Sequence, residues 1–162
     1  MREISFRGFH SDKDGGTAIF IGGKRTKGEW CYGKLLEDHV SDICAIASYV
    51  NLAGNIYDLS EITIVNVIPE TVGQYIGLTD KNGVRIFEGD ILSAHFDDKH
   101  PEDETKAAVV HKGYAFGLKE ADASHVDFVA SESDVFFIKE NYCVIGNIYN
   151  NPELMKGGEA NV

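Results

Sequence analysis

The stretch Val72 to Leu92, VGQYIGLTDKNGVRIFEGDIL, decides the fold. Val72 to Leu78 has an extended pattern. Asp80-Lys81-Asn82-Gly83 breaks it, and Val84 to Phe87 returns as a partner strand. Asn82-Gly83 suits the positive backbone angles of a tight or bulged hairpin loop. Glu88-Gly89-Asp90 bends the chain, and Ile91 begins another strand. Asp80 and Asp90 are placed to accept hydrogen bonds from turn amides, while Val72, Tyr75, Ile86 and Ile91 read as core. The segment is built for folding. It pairs no nucleophile with a base and holds no metal spacing and no phosphate loop.

Short extended runs surround this hairpin. Met1 to Phe9 alternates, with Ile4 and Phe6 on one side and Ser5 and Arg7 on the other. Further strands are expected over Thr17 to Gly22, Trp30 to Leu36, Ile62 to Ile68, Ala107 to His111, Val126 to Ala130, Val135 to Ile138 and Tyr142 to Tyr149. Asn151-Pro152-Glu153-Leu154 reads as a turn or one helical turn. One helix is expected near 38–50. Val40, Ile43, Cys44, Ala47 and Val50 recur at spacings of three and four, and Asp38 or Ser41 could cap it. Its β-branched and aromatic content leaves an irregular connection as the alternative. The fold class is therefore mainly β, a β-rich α+β arrangement with one short helix, in small barrels or sandwiches.

The chain has 162 residues, enough for one domain or two small ones. Its formal net charge is −11, which disfavours general binding to a phosphate backbone. The charge is uneven. Residues 1–36 carry seven basic against four acidic side chains, a net +3, so the rest carries −14. A basic segment on an acidic body suits head-to-tail self-association or a charge-selective partner, against the plainer reading of solvated charge. Cys31, Cys44 and Cys143 make an odd count with no C-x-x-C spacing, as expected of free thiols in a reducing compartment. No secretory h-region and no long apolar run is visible, so a cytoplasmic protein without a membrane span is expected.

Three segments compete for chemistry. Gly22 to Gly28, GGKRTKG, could present amides and cations to a phosphate, yet lacks P-loop spacing. Lys24, Arg25 and Lys27, with Trp30 and Tyr32 beside them, form the candidate interaction site. His95, Asp97, Asp98, His100, Glu102, Asp103 and Glu104 crowd together, but match neither a calcium loop nor a helical zinc motif. They read as a solvated acidic loop. The aromatics Tyr75, Tyr114, Phe116, Phe136 and Phe137 are either a stacking platform or, more simply, core and subunit interface. No catalytic residue, cofactor site or metal site is nominated.

The chain resembles the YopX family of bacteriophage and prophage proteins. The resemblance is carried by Met1 to Arg7, by Thr71 to Leu78 with Asp80 to Gly83, by Ile86 to Ile91, and by Val144 to Tyr149 with Asn151 to Leu154. It is weak over residues 8–66. It implies a small, mainly β protein encoded on a phage or prophage. It also implies an SH3-like barrel in the C-terminal half and a tendency to homo-oligomerise, with no activity attached. The expected organisation is a β-rich subdomain over 1–78, a barrel subdomain over 79–155 and a tail over 156–162. The expected role is that of a non-enzymatic interaction protein meeting a host or phage protein. The alternative is a nucleic-acid-binding module using the barrel face and the loop at Lys24, Arg25 and Lys27.

Overall fold

A computed structural model describes residues 4–11, 19–20, 29–38, 43–50, 61–96, 104–121 and 123–156. The chain divides into two compact units, Met1–Gln74 and Tyr75–Val162. The division falls inside one strand. The expected tail beyond residue 156, the loop 97–103 and the basic residues Lys24, Arg25 and Lys27 lie outside the described residues.

The first unit is an antiparallel sheet. It contains β1 (Phe6–Phe9), β2 (Ile19–Phe20), β3 (Trp30–Asp38), β4 (Ile43–Val50) and β5 (Glu61–Asn66), ordered β2-β5-β4-β3-β1. Phe6 and Arg7 pair with Gln74 and Gly73, the first residues of β6 (Gly73–Thr79). The helix expected near 38–50 is not formed: Ile43–Val50 is strand β4, hydrogen-bonded between β3 and β5. Ala45, Ile46 and Ala47 are buried in succession. A central strand covered on both faces has a continuous apolar run, which hides its period of two and can mimic a helical stripe. Thr71 ties the connection down. Its Oγ1 accepts from Phe9 N at 2.8 Å and donates to Ile68 O at 2.6 Å.

The second unit holds the hairpin of β6 with β7 (Arg85–Phe87). It also holds β8 (Asp90–His95), β9 (Glu104–Lys112), β10 (Ala115–Glu120), β11 (Asp127–Phe128) and β12 (Cys143–Asn147), with helix α1 (Glu132–Asn141). Five of these strands form an antiparallel sheet ordered β11-β10-β9-β8-β12. That order has two ends, so among the described residues the expected barrel does not close. The mainly β class stands. A 3-10 turn, Pro152–Met155, occupies the segment expected to be a turn.

The signature hairpin forms as its sequence dictates. Asp80 is 3 % exposed, and its carboxylate accepts from Asn82 N, Val84 N and Val144 N at 2.8–2.9 Å. Asp90 accepts from Phe87 N at 2.7 Å across the next turn. Gly89 takes φ +82 between them, and an added Cβ would lie 3.1 Å from the Tyr149 ring. Ile86 and Ile91 are fully buried; Val72 and Tyr75 are only partly so. The core gathers Ile76, Ile86, Leu92, Ala94, Val109, Ile138 and Tyr142. Each large member contributes roughly 1.5–3 kcal/mol by leaving water.

Candidate interaction site

The site is organised by α1, which replaces the strand expected at Val135 to Ile138. Ser131 caps it: Ser131 Oγ accepts from Asp134 N at 3.2 Å, and the Asp134 carboxylate accepts from Ser131 N at 2.8 Å and Ala130 N at 3.0 Å. This is a reciprocal capping box. The hydrogen bond linking Ser131 with Asp134, then those from the two amides, hold the Asp134 carboxyl below its ordinary range. It is therefore ionised at neutral pH, next to the positive end of the helix dipole.

Packing uses only part of this helix. Ile138 is buried, whereas Phe136 is 67 % and Phe137 is 48 % exposed. Phe137 stacks on Phe96, itself 51 % exposed, with centroids 5.5 Å apart and planes at 16°. Both rings meet Tyr142 edge-on at 6.1–6.2 Å. Three aromatic rings thus form one cluster at the end of β8 and α1, with its two phenylalanines reaching solvent.

Beneath α1, against β9, β10 and β11, lies a cavity of about 440 Å³. Phe128, Phe137 and Tyr142 give it aromatic faces, and Glu120, Asp127 and Asp134 give it carboxylates. Among the described residues no lysine or arginine lines it. Burial raises the Tyr142 phenol above its ordinary value, and the negative charges of Glu120 and Asp127 raise it further. The phenol is neutral at pH 7 and stands beside acceptors. His125 reaches Asp127 at 3.4 Å, but both side chains are largely exposed, so the pair is weak. Ser133 Oγ is paired with Ser131 Oγ at 2.7 Å. The environment suits binding of a group that is positive at one end and apolar along its length.

The residues singled out in the sequence fare differently. Lys24, Arg25 and Lys27 are outside the described residues. Trp30 packs edge-on against Phe9 at 5.5 Å and lies under the buried Arg7 guanidinium at 4.7 Å, so its ring is engaged within its own sheet. Tyr32 is half exposed on β3. Of the acidic loop, His95 and Glu104 are described. Glu104 accepts from Ser93 Oγ at 2.5 Å and pairs with Lys106 at 2.9 Å, and those contacts lower its carboxyl. Among the described residues no three His, Cys, Asp or Glu side chains are grouped to hold a metal ion. The three cysteines are free, and burial raises the thiols of Cys31 and Cys44, which suits inert packing rather than reactivity. No helix of the described residues is long and apolar enough to cross a membrane.

The cavity was missed in the sequence because its walls come from four separate elements. One signal was present. Ser131-Glu132-Ser133-Asp134 has capping-box spacing, which would have marked a helix start and set Phe136 and Phe137 on a helix surface.

Comparison with known proteins places the chain in a family and beside solved structures. A family model described as "YopX protein" matches residues 23–156. The crystal structure of protein EF1440 from Enterococcus faecalis is similar with a TM-score of 0.59 and 25% identity, covering 96% of this chain and 100% of that one. No curated protein matches.

Proposed function

We propose that this chain, which belongs to the YopX family, is a non-enzymatic interaction protein that works as a homo-oligomer. In this reading it is phage- or prophage-encoded, acts in the host cytoplasm and offers its second unit to a protein partner. The observation that carries the reading is the aromatic surface of that unit. Phe96, Phe136 and Phe137 are exposed by 51 %, 67 % and 48 %, and Phe96 and Phe137 stack into a contiguous patch. Contiguous apolar patches on soluble proteins usually mark interaction surfaces, and aromatic rings are favoured there. The open sheet adds support, because β11 and β12 are edge strands of the kind that pair across subunits. Three free thiols suit a reducing compartment.

The test is assembly state by light scattering behind a sizing column, wild type against Phe96→Asp. Phe96 is half exposed and stands in the stacked patch, so a charge there should leave the fold intact and shift the protein toward monomer. An assembly unchanged by Phe96→Asp would remove the patch as the interface.

A further inference from the structure

We infer that the cavity beneath α1 is a recognition pocket for an arginine side chain carried on an apolar segment of a partner polypeptide. The inference deepens the proposed function by naming the chemistry of the partner, and it rests on that reading.

Three independent properties of the cavity converge on this occupant. The first is charge. Glu120, Asp127 and Asp134 line the cavity without a lysine or arginine among the described residues, on a chain of net charge −11. Asp134 is committed to the helix cap, so Glu120 and Asp127 are the carboxylates left to face a ligand, with His125 as a weak surface partner of Asp127. The second is shape. Guanidinium is planar, binds carboxylates through paired N–H donors and stacks on aromatic rings, and Phe128, Phe137 and Tyr142 supply the rings. An ammonium would use one carboxylate as a point charge and gain less from the flat walls. The third is size. A volume of 440 Å³ falls within the roughly 300–1,000 Å³ of small-ligand sites and exceeds what one side chain fills. Apolar neighbours of the arginine would cover the partly exposed Leu118 and Val129. The neutral Tyr142 hydroxyl, near both carboxylates, adds a hydrogen-bonding group without adding charge.

The experiment is calorimetric titration of the full chain with acetyl-Leu-Arg-Leu-amide and its citrulline analogue. Citrulline keeps the shape of arginine and removes the charge. The inference expects saturable binding of the arginine peptide, at least about tenfold tighter than the citrulline peptide. Binding should weaken as salt rises from about 50 to 300 mM. Glu120→Gln and Asp127→Asn sit on exposed side chains and should each weaken the arginine peptide by about tenfold while leaving the near-ultraviolet circular dichroism unchanged. Equal affinity for the two peptides, or affinity unmoved by both substitutions, would overturn the inference. So would free arginine binding as tightly as the peptide, because the occupant would then be a small molecule. So would tighter binding of a peptide with the sequence of residues 22–28, because the occupant would then be a second copy of this chain. The two readings fail separately: a monomer that binds the arginine peptide removes the oligomer alone, and an oligomer indifferent to it removes the pocket alone.

Discussion

Asp80 shows how one buried carboxylate can organise a hairpin. Its two oxygens accept from three backbone amides, one of them 64 residues away on β12. Asp80→Ala would leave those amides without their acceptor, and we expect a loss of about 3 kcal/mol in urea denaturation. Gly89 holds its turn for a different reason. At φ +82 any L side chain is strained, and its Cβ would crowd Tyr149, so Gly89→Ala should cost about 1–2 kcal/mol or more on the same assay. Tyr142 sets a pH limit. Its folded-state value lies above the ordinary 10.0 of the unfolded chain, so the unfolded state releases its proton first. The contribution is fully present below about pH 10 and is lost as pH rises through the folded value. Stability measured from pH 9 upward should fall more steeply for wild type than for Tyr142→Phe, and parallel curves would contradict this.

Among the elements, α1 depends most on its ends. It is 10 residues long, below the length at which isolated helices persist in water, and Ile138 is its buried anchor. Ser131→Ala removes half of the capping box and should lower stability by about 1 kcal/mol; since its capping partner Asp134 lines the cavity, peptide affinity should drop with it. The elements also mark how far the sequence could be read. The hairpin around Asn82-Gly83 was legible because its turn chemistry is local. β4 was not, since Ala45, Ile46 and Ala47 are buried together and the covered strand carries no alternation. α1 was misread because Val135, Phe136, Phe137 and Ile138 all favour strands, and the cap at Ser131 and Asp134 outweighs that preference. The candidate site was less legible still: Glu120, Asp127 and Tyr142 meet only once the β10–β11 pairing and the helix are in place.

The whole molecule carries a net charge of −11, which weighs against the nucleic-acid reading. Phosphate contacts are strongest at low salt, so the nucleic-acid alternative expects single-stranded oligonucleotides to shift at about 50 mM salt, weakened by charge reversal at Lys24, Arg25 and Lys27. With a net charge of −11 and Trp30 engaged by Arg7 and Phe9, we expect no shift. The interaction reading predicts self-association instead. Light scattering of the wild-type chain behind a sizing column, at low and high salt, tests it most directly. The account predicts a discrete assembly of several times the 17.8 kDa protomer that survives high salt, since its contacts are aromatic. A monomer of that mass under both conditions would contradict it.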